Sequence, residues 1–221
     1  MAMPVRIVGL GGSLRAESTS RTALQAALDG AAASGADVQL IWLRDLGLPL
    51  YTAEHAPPPG AHEFADAVYA CDAMIWSSPT YQGSVSGSFK NALDWLILLA
   101  DRTPPYLSNK PIGLISTAGG VQGLQTVNAM DFIARSLRGW SVPLVMPVPQ
   151  SWQTFDADGR LVDDAIGDQL RAPEDSVDVP AGVVIGKDRL VEALRAAVGG
   201  EQVRGRVDRV TGVVRVGLSV F

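Results

Sequence analysis

The sequence predicts an α/β fold: a doubly wound, five-stranded parallel sheet in the order 2-1-3-4-5 with helices on both faces. Three observations predict it. Short apolar runs alternate five times with amphipathic stretches along most of the chain, the pattern of strands joined by crossover helices. The first run is mostly β-branched and nearly continuous in its apolar character, as a strand buried on both faces is. The segments after the first, third and fourth runs are rich in glycine, serine and threonine. In an open sheet of this kind, ligands sit beyond the carboxyl ends of the strands.

The elements follow in order. Val5 to Leu10 is the first strand, and the chain then turns through Gly11 to Ser20 into a helix from Arg21 to Ala33. That helix carries Ala23-Leu24, Ala27-Leu28 and Ala31 at the 3.6-residue spacing, and Gly35 stops it. Val38 to Leu43 is the second strand, followed by a proline-rich loop from Leu46 to Gly60 and a helix from Ala61 to Cys71. Ala73 to Trp76 is the third strand, leading into an elbow, Ser77 to Gly83. A helix from near Ser84 to about Ala100 comes next, then a linker containing Pro104-Pro105. Pro111 to Ser116 is the fourth strand, and a long helix with Val127, Met130, Ile133 and Leu137 ends near Gly139. Val142 to Met146 is the fifth strand. Gln150 to Arg160 is turn-rich, with a turn at Asp158-Gly159, and a short helix is expected from Leu161 to about Leu170. Beyond Arg171 the pattern weakens. Lys187 to Val198 reads as one helix, and the valine-, arginine- and glycine-rich residues from Glu201 to Phe221 have no assignable period.

Composition bounds the function. A chain of 221 residues with 47% hydrophobic and 19% charged residues can bury a full core without staples. A net charge of −5 implies no basic surface for nucleic acid or an anionic membrane. The single cysteine, Cys71, excludes an internal disulfide and reads as a buried packing thiol. His55 and His62 flank a proline run with no cysteine companion, so no metal site is expected. No apolar stretch is long enough for a bilayer and no signal-peptide pattern opens the chain, so a cytoplasmic location is expected.

The loop after the first strand holds Ser13, Arg15, Ser18, Thr19 and Ser20 at a helix entry. Free N–H groups and the helix dipole favour an anion there. A helix cap alone would need one hydroxyl; four hydroxyls and an arginine exceed that need and suit a phosphate. Gly9-Leu10-Gly11-Gly12-Ser13-Leu14 is a weak dinucleotide fingerprint, because leucine replaces the third glycine and Asp29 falls inside the helix rather than at a strand end. Hydroxyls and an arginine suit a terminal phosphate monoester better than a pyrophosphate against bare backbone, which points to FMN. In the elbow, Pro79 and Gly83 turn the chain. Tyr81 and Gln82 are not needed for turning, and they mark the segment as a place for a flat ligand.

Taken together, Gly12-Ser13-Leu14-Arg15 with Ser18 and Ser20, then Pro79-Thr80-Tyr81-Gln82-Gly83-Ser84 with Gly87 and Lys90 to Trp95, then Ser116 with Gly119-Gly120 resemble the NAD(P)H-dependent FMN reductase family. The resemblance covers about residues 5 to 170. It implies a flavodoxin-like fold, FMN as cofactor, and NADPH or NADH as hydride donor. It further implies that Ser13, Arg15, Ser18 and Ser20 bind the phosphate, that Pro79, Thr80, Tyr81 and Gln82 lie along the isoalloxazine ring, and that Ser116, Ala118, Gly119 and Gly120 close its other edge. No catalytic acid or base is expected, since the flavin supplies the chemistry; Asp94 is assigned to packing, capping or a subunit contact. Residues 1–171 would form the FMN-binding domain and 172–221 a C-terminal extension. A homodimer or homotetramer is implied, with Phe89, Leu93, Trp95 and Leu96 either at its interface or buried against the chain's own sheet. The expected function is reduction of FMN by NAD(P)H, the reduced flavin serving a partner monooxygenase or a small acceptor. An FMN-bound quinone or azo reductase and a flavodoxin-type electron carrier are the competing readings. A flavodoxin would show a denser acidic surface and a threonine-rich phosphate loop without Arg15.

Overall fold

The computed structural model describes residues 4–156, positions 160, 162–163 and 166, and three short strands at 176–179, 203–207 and 214–218. Its centre is a five-stranded parallel sheet in the order β2-β1-β3-β4-β5, as the alternation predicts. The strands are β1 (Arg6–Gly11), β2 (Asp37–Trp42), β3 (Ala73–Pro79), β4 (Pro111–Thr117) and β5 (Trp140–Val148). Between them run α1 (Thr19–Ala33), the short α2 (Leu43–Leu46), α3 (Pro59–Ala70), α4 (Gly87–Asp94) and α5 (Gly123–Ser136).

Successive residues of a strand point to opposite faces, and the strands here are apolar at both sets of positions. Val8, Leu10, Met74, Trp76, Ile112 and Leu114 enter one core, which Phe64 and Val68 of α3, Phe89 and Leu93 of α4, and Val127 and Met130 of α5 complete. Ile7, Ala73, Ile75 and Ile115 enter the other, beneath Ala23, Leu24, Leu28 and Ala31 of α1. A strand buried on both faces has no polar side to alternate with, which is why these runs are almost continuously apolar.

Several element bounds differ from expectation. β3 does not stop at Trp76 but continues through Ser77, Ser78 and Pro79, which pair with Ile115, Ser116 and Thr117 of β4. The two serines tolerate burial because each hydroxyl donates to a carbonyl, Ser77 to Ser20 at 2.8 Å and Ser78 to Pro79 at 3.1 Å. The following helix starts at Gly87, not near Ser84, and ends at Asp94, giving way to a 3-10 segment, Trp95–Leu99. Asp94 pairs with Lys90 one turn earlier, at 2.6 Å. Third, Leu43 belongs to α2 rather than to the second strand. Of the two placements left open for Phe89, Leu93, Trp95 and Leu96, burial within the chain's own core is the one observed, so they form no free surface.

Outside the main sheet, β6 (Ser176–Val179), β7 (Val203–Val207) and β8 (Val214–Leu218) pair as an antiparallel sheet in the order β6-β8-β7. The valine-rich tail thus contains strands where no period was assignable. The turn at 158–159 and the helix expected over 187–198 lie outside the described residues, as does most of the helix expected over 161–170. Among the described residues, no helix is long and apolar enough to cross a membrane.

Candidate functional site

The parallel register brings the carboxyl ends of four strands to one edge: Gly11 pairs with Ser77, Pro79 with Thr117, and Thr117 with Val148. The segments after β1, β3, β4 and β5 therefore meet there.

The segment after β1 is held from three sides. The Gly12 N–H donates to the Ser77 carbonyl at 2.8 Å, and the Gly12 carbonyl accepts from the hydroxyls of Ser88, at 3.0 Å, and Ser86. Gly12 must be glycine because a Cβ would lie 2.9 Å from the Phe89 ring. The Trp42 indole N–H, at the end of β2, donates to the Ser13 carbonyl at 2.8 Å. Ser13 is buried, and its hydroxyl accepts from the Arg15 N–H at 3.2 Å. Ser18 is the N-cap of α1, accepting from the Arg21 N–H at 3.3 Å, and its Oγ lies 2.9 Å from that of Ser20. The capping role is thus real, and it falls to Ser18; the other hydroxyls and Arg15 remain in excess of it. Arg15 is exposed and forms no ion pair among the described residues.

The segment after β3 closes as a tight turn, with the Tyr81 and Ser84 N–H groups each donating to the other's carbonyl at 3.0 and 3.1 Å. Gln82 at φ 49° and Gly83 at φ 79° occupy its two central positions. This is the pattern of two left-handed residues that a two-residue hairpin demands. Gln82 is therefore part of the turn itself, contrary to the sequence reading that turning does not need it. Thr126, buried on α5, has its Oγ1 2.9 Å from the hydroxyl of Thr80 and 3.1 Å from the Ser84 carbonyl. The Thr80 N–H donates to the Thr117 carbonyl at 2.8 Å. The loop is thus tied to both β4 and α5.

The segment after β4 lies against the one after β5, with the Ser151 N–H on the Ala118 carbonyl at 2.9 Å and the Gln150 N–H on the Gly120 carbonyl at 3.0 Å. The Trp152 indole donates to the Gly119 carbonyl at 3.3 Å, and the Thr19 hydroxyl donates to that of Ser151 at 3.2 Å.

Together these segments line a pocket of about 280 Å³. Of the residues expected from sequence, Ser13, Arg15, Ser18, Pro79, Thr80, Tyr81 and Gly119 line it. Ser20, Gln82, Ser116, Ala118 and Gly120 do not. Ser20 and Ala118 are buried, and the buried Ser116 hydroxyl donates to the Gly123 carbonyl at 2.8 Å, tying β4 to α5. Sequence reasoning missed Thr117, Ser151 and Trp152 as lining residues. The signal for Ser151 and Trp152 was present: the fifth strand ends on the same edge, so its following segment had to join the site. Thr117 lines the pocket, and its buried hydroxyl has no hydrogen-bond partner among the described residues. A buried polar atom left unpaired is costly, and a ligand with a polar edge would satisfy it. Hydroxyls, an arginine and the N-terminus of α1 at one end, and Pro79, Thr80 and Tyr81 at the other, suit a ligand that joins an anion to a flat ring.

Comparison with known proteins agrees with this geometry. The NADPH-dependent FMN reductase family matches residues 5–153. An NAD(P)H-dependent FMN reductase of Pseudomonas aeruginosa is 33% identical over 172 residues, covering 74% of this chain and 88% of its own. An NADPH:quinone oxidoreductase of Arabidopsis thaliana is 31% identical, covering 76% of this chain and 87% of its own. The solved structure of FerB, a flavoenzyme NAD(P)H:(acceptor) oxidoreductase from Paracoccus denitrificans, shares the fold. Its TM-score is 0.60 at 22% identity, covering 76% of this chain and 91% of FerB. A five-stranded 2-1-3-4-5 sheet, loops that line a pocket at its carboxyl edge and a family match across all of them lead to one conclusion: the chain belongs to the NADPH-dependent FMN reductases, oxidoreductases of flavodoxin-like fold that use FMN with NAD(P)H.

Proposed function

We propose that the pocket at the carboxyl edge of the sheet is the FMN site. Ser13, Arg15, Ser18 and Thr19 bind the phosphate, while Pro79, Thr80, Tyr81, Thr117 and Gly119 surround the ring. The observation that supports this reading is that both sets line the same pocket, together with Thr117, whose buried hydroxyl has no partner among the described residues. FMN, when bound, supplies the two-electron chemistry between nicotinamide and acceptor; the chain supplies binding, orientation and electrostatics. Arg15 offsets the phosphate charge and α1 directs its N-terminal N–H groups at it. Thr126, through the Thr80–Ser84 loop, fixes the wall on which the ring rests.

The acceptor we propose is a small flat molecule, a quinone or free flavin. Tyr81, 48% exposed at the pocket, leaves a way in for one, and the similarity to a quinone oxidoreductase supports it. Steady-state oxidation of NADPH and NADH against FMN, FAD, a quinone and an azo dye tests the reading. Quinone turnover without added FMN by protein that retains its flavin is expected; turnover only when free FMN is supplied as substrate points instead to delivery of reduced flavin to a partner monooxygenase. A cytoplasmic location accords with a nicotinamide donor and a buried, unpaired thiol. A homo-oligomer is proposed through the apolar face beside α4, where Leu50 is 84% and Leu14 54% exposed; light scattering after size exclusion reads it directly.

A further inference from the structure

Next to the flavin pocket lies a second, larger groove of about 620 Å³, running along the first turns of α1. Arg15, Ser18, Thr19 and Trp152 line both cavities, so the two adjoin at the proposed phosphate end. FMN alone gives no reason for such an opening, because its chain of atoms ends at the phosphate. FAD continues from that same phosphate through a second one to a ribose and an adenine. We propose that this groove is an adenylate subsite, taking the AMP half of a flavin adenine dinucleotide. The proposal rests on the reading that the flavin phosphate lies at Ser13, Arg15, Ser18 and Thr19.

The groove has the size of pockets that hold a whole small ligand, and its chemistry matches an adenylate part by part. Arg21 lines it and forms no ion pair among the described residues; its guanidinium rests 4.3 Å over the Trp42 ring, which holds a cation without neutralising it. That leaves it for the second phosphate. Trp152 is 63% exposed at the junction, an indole of the kind on which a purine stacks. Glu17 and Asp156 also line the groove. Asp156 already accepts from the Arg160 N–H at 2.7 Å, whereas the exposed Glu17 opposes a free inorganic anion but suits the hydroxyls of a ribose or the amine of adenine, which donate. The balance of two arginines, the carboxylate of Glu17 and an exposed indole therefore selects a nucleotide over a bare phosphate.

The test is flavin-fluorescence titration of the full chain with riboflavin, FMN and FAD, in the parent, Gln25→Trp and Arg21→Ala. Gln25 is exposed on α1 and lines the groove, so an indole there fills the groove without entering the core. FAD is expected to bind the parent within threefold of FMN or tighter. Gln25→Trp should weaken FAD at least fivefold and Arg21→Ala at least threefold, while FMN changes less than twofold in both, which also reports that the variants fold. Any other pattern overturns the proposal. If Gln25→Trp raises the KM for NADPH and spares FAD, the adenylate belongs to the nicotinamide dinucleotide and the FAD assignment falls. Failure of the underlying phosphate reading is separate, because it would show as equal losses of riboflavin and FMN in Arg15→Ala.

Discussion

Arg15 is the residue on which the phosphate reading turns. It stands in the loop after β1, exposed, unpaired by any acid among the described residues, and in excess of what the Ser18 cap requires. Arg15→Ala should cost about 1.5–3 kcal/mol in FMN binding, or roughly ten- to a hundredfold. Riboflavin, lacking the phosphate, should bind parent and variant within about twofold, and titration of quenched flavin fluorescence measures both. Cys71 makes the opposite case, a residue whose environment silences it. Burial, first of all, pushes its thiol from an ordinary 9.0 up to about 11, against the pull of the nearby Lys110 charge. Its Sγ rests 3.1 Å from the Val68 carbonyl. Above pH 9 the unfolded chain sheds this proton while the folded chain keeps it, so the folded state binds more protons and stability falls as pH rises. The contribution is full below pH 9 and is lost as pH rises toward 11. Urea unfolding at pH 8 and pH 10.5 should show the parent losing about 2 kcal/mol more than Cys71→Ala between the two. Equal losses would mean that the thiol ionises as freely folded as unfolded.

At the scale of elements, the site is a set of loops held by the starts of helices. Ser86 caps α4, accepting from the Phe89 N–H at 3.2 Å, and the same hydroxyl donates to the Gly12 carbonyl in the loop after β1. Its own N–H donates to Ser78 in β3 at 3.1 Å. Through its hydroxyl and its own N–H, this one residue therefore joins the loop after β1, the end of β3 and the helix behind them. Ser86→Ala removes a cap and leaves a buried carbonyl with only Ser88, an expected cost of about 1–3 kcal/mol. Because the loop position depends on it, FMN affinity should fall severalfold as well. Chemical denaturation and flavin titration of the same variant separate the two effects, and unchanged values for both would show that Ser88 suffices. None of this linkage was legible in the sequence, where Ser86 is one hydroxyl among several in a serine-rich elbow.

For the whole molecule, every described residue that lines the proposed flavin pocket lies between Ser13 and Trp152. We therefore propose that residues 1–171 carry FMN binding and 172–221 are an extension, despite the antiparallel sheet of β6, β8 and β7 within it. Truncation after Arg171 is expected to leave FMN affinity within about tenfold, measured by the same titration. Loss of cooperative unfolding in the shortened chain would show that the body depends on the extension.

The sequence by itself determined the sheet, its strand order and the edge at which the glycine- and hydroxyl-rich loops gather, because these follow from local patterns: apolar runs, helical spacing, and small residues after the strands. It also determined Ser13, Arg15, Ser18 and the Pro79–Tyr81 stretch as site residues to test, since a helix entry crowded with hydroxyls and an arginine has a local chemical meaning. Only the tertiary structure decided which hydroxyls face the pocket and which are spent inside the protein. Ser20 and Ser116 look like Ser13 and Thr117 in the sequence, yet Ser116 donates to the Gly123 carbonyl while the Thr117 hydroxyl is left unpartnered beside the pocket. The difference is one of direction: neighbouring residues on a strand point to opposite faces, and which face meets the pocket depends on how β3, β4 and β5 pair. Trp152 and Ser151, by contrast, follow from the strand order itself, because the parallel fifth strand ends on the same edge as the other three.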